Sequence, residues 1–188
     1  MRIVTALLSL SLPCALNAAD FDYTFVDAGL VDTEIDVGSV DVSGDGIGVN
    51  GSIGVSDNVH IVAGYSDLDY DFGIDGNSWN VGVGFHTDIN DDIDFVADVS
   101  YIDAEVSTAF GSASEDGYGI GGGIRAHMGD SFELDAGLQY VDLDDSDTVL
   151  NVGGRYYFND SFALNAGISD ADAGMSWMVG IRAEFGGR

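Results

Sequence analysis

An all-β chain that closes into an antiparallel, transmembrane meander β-barrel of ten strands, with eight as the alternative count, is predicted by three features of this sequence. Apolar residues recur at every second position in one segment after another, the mark of strands whose two faces meet different surroundings. A short polar turn recurs at Ser56, Asn90, Gly129 and Asn159. Aromatic residues on the apolar register are sorted by strand end, Tyr and Trp at one end and Phe at the other, as in the girdles that flank the hydrocarbon band of a membrane barrel.

The strands follow in chain order. DYTFVDAGLVD, near 22–32, opens the wall; it is apolar on both registers and leaves its inward face open. Ile47, Val49, Ile53 and Val55 lead into the first turn, SDNVHI, and Val59, Ile61, Ala63 and Tyr65 leave it. Trp79, Val81, Val83 and Phe85 enter NDDIDF, followed by Phe95, Ala97, Val99 and Tyr101. Tyr118, Ile120, Ile124 and Met128 enter GDSFEL, followed by Phe132, Leu134, Leu138 and Tyr140. Leu150, Val152, Tyr156 and Phe158 enter NDSFAL, followed by Phe162, Leu164 and Ile168, and WMVGIRAEF closes the chain near 176–185. Asp57, Asp91, Asp130 and Asp160 supply the turns, because a short carboxylate bonds to its own backbone and tolerates unusual dihedrals. The other connections, among them DTEIDVGSVDVSGD, DLDYDFGIDGNS and DAEVSTAFGSASED, read as five longer acidic loops at the opposite end.

The aromatic rows comprise Tyr65, Trp79, Tyr101, Tyr118, Tyr140 and Trp177 at the long-loop end, and Phe85, Phe132, Phe158, Phe162 and Phe185 near the short turns. A soluble core has no reason to sort aromatics this way. The other register carries what hydrocarbon would reject: Arg125, Arg155 and Arg182, with Asp94, Asp98, Glu133, Asp135 and Glu184. Neighbouring strands place these cations and carboxylates side by side, and lateral pairing offsets the cost of charges confined in a narrow lumen. His60, His86 and His127 share that inward register near the short turns, with His60 and His86 on adjacent strands. They read as polar filling of a wet lumen, with a metal site or pH-sensitive constriction as the sharper alternative.

Composition narrows the setting. The 188 residues carry a net charge of −28 and no Lys, which argues against nucleic acid, since phosphate neutralisation needs clustered cations. Residues 1–19 read as an export signal: Arg2, an apolar run from Ile3 to Leu12, then Ala18 and Ala19 at the cleavage site. Residues 20–188 then form the barrel domain, and the exported chain has no Cys with which to form disulfides.

These residues together resemble the small outer-membrane β-barrel proteins of Gram-negative bacteria, the group that includes OmpA-like and OmpX-like barrels. The likeness covers nearly the whole exported chain. VGIRAEF, with Val179, Ile181, Ala183 and Phe185 alternating, resembles the C-terminal β-signal that the family's assembly machinery recognises, and departs from it by adding Gly186, Gly187 and Arg188. The resemblance implies outer-membrane lipid and lipopolysaccharide as surroundings, the barrel-assembly machinery as a partner during biogenesis, and a monomer. It leaves activity open, because one fold hosts many roles.

The expected role is structural or surface-interacting, with a polar, ion-paired lumen and no cofactor; a small passive channel and a loop-mediated adhesin are the alternatives. Asp67, Asp69, Asp71 and Asp75 could hold divalent cations, although the spacing lacks the Gly and Glu of an EF-hand loop. Catalysis is not expected: no His faces outward or belongs to a loop, so Ser112, Ser114 and Asp116 have no base beside them.

Overall fold

The computed structural model describes residues 22–37 and 40–185, so the export signal and the three residues after Phe185 lie outside the described residues. Ten strands run in chain order: β1 (Phe25–Val37), β2 (Val40–Ser56), β3 (Val59–Tyr70), β4 (Ile74–Asn90), β5 (Ile93–Thr108), β6 (Gly111–His127), β7 (Phe132–Asp142), β8 (Ser146–Asn159), β9 (Phe162–Ala171) and β10 (Gly174–Glu184). Each pairs antiparallel with its sequence neighbours, and β1 pairs with β10 to close the barrel. The closing seam runs from Phe25↔Glu184 to Ile35↔Gly174. Closure leaves no sheet edge unpaired. Register shifts fall beside three of the short turns, between Gly54 and Ser56, Asp88 and Asn90, and Tyr157 and Asn159, where a bulge helps the strand turn.

The outward band is apolar. Leu30, Ile47, Val83, Val99, Leu138, Val152, Ile168 and Val179 are all exposed on it. The Tyr and Trp row borders it on one side and the Phe row on the other, both exposed.

Two expectations are corrected. The five acidic segments are not long loops. The β1–β2 ladder continues through Asp32↔Asp45 to Val37↔Val40, β3 and β4 stay paired to Tyr70↔Ile74, and β5 and β6 to Thr108↔Gly111. The outer connections are therefore themselves tight turns on strands that project past the aromatic row. The inward face of β1, left open by the sequence, carries Phe25, Asp27, Val31, Thr33 and Ile35, all buried.

The second correction concerns the lumen, which is polar in only part of its length. Along β3 the inward side chains run His60, Val62, Ser66, Leu68, Tyr70, while the outward ones run Ile61, Ala63, Tyr65, Asp67, Asp69. Strand phase never changes, but the chemistry of the two faces swaps at Tyr65. The same swap follows Tyr101 on β5, where Ile102, Ala104 and Val106 turn inward, and Tyr140 on β7, where Val141 does. Beyond the aromatic row the wall is acidic outside and apolar inside.

Candidate functional site: a lumen filled in three layers

The layer nearest the short turns is charged. Arg182 from β10 donates to Asp27 of β1 through Nε at 2.9 Å and Nη2 at 2.7 Å, a two-pronged bond between neighbours across the seam. The Phe25 ring lies 3.6 Å from the Arg182 guanidinium carbon, close enough for a cation–π contact. Arg155 Nη1 lies 2.9 Å from Asp135 and 3.5 Å from Glu133, and Arg125 donates to Glu133. The Tyr157 hydroxyl joins the groups, accepting from Arg125 at 3.1 Å and lying 3.0 Å from Glu133 and 2.7 Å from Glu184. Arg125 and Arg182 are wholly buried. Buried guanidinium groups demand paired acceptors, and the alternating parity of β7, β8 and β10 delivers them to one level.

Each charged residue expected on the inner face lies there. Asp94 sits opposite Arg125 in register. Asp98 occupies the space beside Gly121, where a Cβ would meet its carboxylate. One pairing differs from the lateral order read in the sequence: Arg125 faces Asp135 in register but bonds Glu133, two residues nearer the turn. A long guanidinium reaches along the lumen as well as across it, which strand register alone does not specify.

His60 and His86 are buried with ring centroids 5.6 Å apart, and Tyr23 stacks on both, at 4.8 Å and 3.7 Å. The His60 ring fills the space beside Gly84, where a Cβ would clash with the imidazole. His86 Nε2 lies 2.7 Å from the Asp57 carbonyl oxygen, tying the ring to the first short turn. His127 stands apart from this pair, 3.8 Å from Glu133. Among the described residues no three His, Cys, Asp or Glu side chains are grouped to hold a metal ion.

Above the charges comes a layer of small polar groups. Thr33 and Ser176 are 2.7 Å apart, Ser66 and Ser78 2.8 Å, and Ser169 donates to Asn151 at 2.7 Å. Above it again lies the apolar layer, in which Val31, Ile35, Leu68, Ile102, Val149 and Met178 belong to one buried cluster. Between charged and apolar layers remains a cavity of about 10 Å³ bordered by Asp27, Asn50, Asp135, Arg155, Asn165 and Met178. That is room for about one water.

Sequence reasoning missed Asp27, Phe25, Tyr23 and Tyr157. Tyr157 was within reach, since it shares the parity of Arg155. Asp27 becomes visible only once the β1–β10 register sets it opposite Arg182.

No protein-family model matches the chain, and no curated protein matches it. Solved structures do. The transport unit of the autotransporter AIDA-I from Escherichia coli superposes with a TM-score of 0.53 at 10% identity, covering 98% of this chain and 97% of that one. The KdgM porin in complex with disordered oligogalacturonate superposes with a TM-score of 0.50 at 11% identity, covering 86% of this chain and 99% of that one. At such identities the likeness is one of fold: this chain has the closed barrel architecture of outer-membrane proteins.

Proposed function

We propose that this protein is exported, released from residues 1–19 and inserted in the bacterial outer membrane as a sealed, monomeric barrel with a structural or surface-interacting role. The observation that carries the reading is the double filling of one lumen. Arg–carboxylate pairs occupy the end near the short turns, and the cluster around Leu68 and Ile102 occupies the other. A pore has to keep a continuous wetted path, and a charged layer of bonded pairs stacked beneath a packed apolar layer opposes one.

Support for the membrane comes from the outer face. An apolar belt this continuous has no place in contact with water, where it would drive aggregation, and Tyr and Trp at its border suit the interface. On this reading lipid and lipopolysaccharide surround the belt, and the outer acidic strands recruit divalent cations. Val179, Ile181 and Ala183 of β10, the strand that completes the wall, and Phe185 just after it are offered to the assembly machinery. A passive channel is the weaker reading because both ends of the lumen would have to rearrange. A surface-binding role fits the projecting strands.

The test is conductance. Protein folded into planar bilayers is expected to give a silent membrane, with insertion verified separately by heat-resistant migration on a gel. Reproducible unitary current steps would overturn the sealed reading.

A further inference from the structure

We propose that Phe72 and Phe110 form a two-point docking surface for a cationic, amphipathic polypeptide segment; this rests on the sealed-barrel reading, in which the outer end does the protein's work. Both rings occupy turns beyond the apolar belt. Phe72 is 79% exposed and Phe110 fully so. Tyr70, Ile74, Thr108 and Gly111 are successive partners on one rung across β3, β4, β5 and β6. The turns carrying the two Phe residues therefore rise from one rung of the sheet. Their centres are two strand spacings apart, about 10 Å, close to two turns of a helix.

Neither ring reaches back to the protein's own membrane. β3 continues from Tyr65 to Tyr70 and β5 from Tyr101 to Thr108. At about 3.3 Å per residue and a tilt of about 40°, those ends stand roughly 13–18 Å clear of the aromatic row. Burial cannot account for the two rings, and Phe72 adds backbone strain, with φ at +66°. A bulky aromatic rarely occupies that left-handed region, which Asn or Gly would fill at lower cost. Strain held at an exposed turn points to use rather than stability.

Charge selects the occupant. Asp69 and Asp75 face each other across β3 and β4 one pair below the Tyr70–Ile74 rung, and Asp71 adjoins Phe72 in the same turn. Like charges directly opposite on a sheet repel. The sequence has no Lys, and the Arg residues among those described, Arg125, Arg155 and Arg182, lie in the lumen at the other end. An anionic lipid surface would be repelled, and a metal ion would leave both Phe rings in water. A segment with Lys or Arg flanking two apolar side chains about 10 Å apart satisfies both features.

The experiment uses the full barrel folded in phosphatidylcholine nanodiscs and a fluorescent 14-residue Leu/Lys amphipathic peptide, with empty discs as background. Wild type is expected to bind above background, and the Phe72→Asn/Phe110→Ser variant about tenfold more weakly. Asn keeps the left-handed turn, and heat-resistant migration of the variant verifies its fold. Replacing Lys by Glu in the peptide should abolish binding. Equal binding by wild type and variant, equal binding of the Glu peptide, or no binding above empty discs would each overturn the proposal. Because the readout is independent of conductance, its failure leaves the sealed-lumen reading standing, and current steps in the bilayer leave this result unchanged.

Discussion

Removing one carboxylate at the seam, by Asp27→Ala, is expected to destabilise the inserted barrel by about 3 kcal/mol. Stranding one member of a buried ion pair costs roughly 3–5 kcal/mol. The lower end applies because Arg182 keeps two consolations: Glu184 at 3.8 Å and the face of Phe25. Asn165 also loses its acceptor, the Asp27 oxygen 3.0 Å away. Replacing both partners, Asp27→Ala with Arg182→Met, removes the stranded charge and should recover at least about 2 kcal/mol of the loss. Equilibrium urea unfolding in lipid vesicles measures this, followed by fluorescence of Trp79 and Trp177, which lie exposed on the outer aromatic row and report departure from lipid. If Asp27→Ala stays within about 1 kcal/mol of wild type, or the double variant loses the sum of the singles, the seam pair is not a coupled unit.

Three further outcomes are expected. Ala136→Arg, midway between Phe132 and Tyr140 on the outward belt, should cost about 2–4 kcal/mol in vesicles, whereas Asp69→Asn, outward but beyond the aromatic row, should change stability by no more than about 0.5 kcal/mol. Arg155→Ala alone should leave planar bilayers silent because the apolar layer still fills the lumen, and only its combination with Leu68→Ala and Ile102→Ala should yield current. Burial, then the nearby Asp144 carboxylate, pushes the Glu115 carboxyl above its ordinary range, so its ionisation opposes folding at neutral pH. That penalty is fully present above the folded-state value and fades as pH falls through it. Glu115→Gln should therefore raise the urea midpoint at pH 8 and give progressively less advantage toward pH 4.

On the proposed membrane reading, the belt was legible because hydrocarbon imposes a rule that single residues cannot evade. Every outward position between Tyr65 and Ile61, or between Tyr101 and Phe95, has to be apolar or small, so period two stands out in the raw sequence. The four short turns were legible for a related reason: Asp and Asn sit where the chain has to reverse within a few residues. With turns and parity known, the positions of Arg125, Arg155, Arg182 and their carboxylates on the inner face followed. Their actual partners did not. Whether Arg125 meets Asp135 or Glu133 depends on rotamers and on a Tyr157 hydroxyl that bonds to both sides, and periodicity carries no information about either.

The acidic segments misled for a physical reason. Asp is disfavoured in strands, so DLDYDFGIDG reads as loop when taken residue by residue. In the barrel, Leu68 and Tyr70 alternate with Asp67 and Asp69, and the β-unfavourable residues lie on the wet outer side. The apolar residues have simply changed face. On the proposed membrane reading, the solvent outside below Tyr65 is oil and the inside has to hold charge; above it the solvent outside is water and the inside has to exclude it. A single rule, that each face takes the chemistry opposite to its surroundings, therefore writes two inverse patterns on one uninterrupted strand. Scanning for one pattern ends the strand where the other begins. The aromatic that marks the boundary is also the position at which the hydrophobic parity should be inverted before a strand end is assigned.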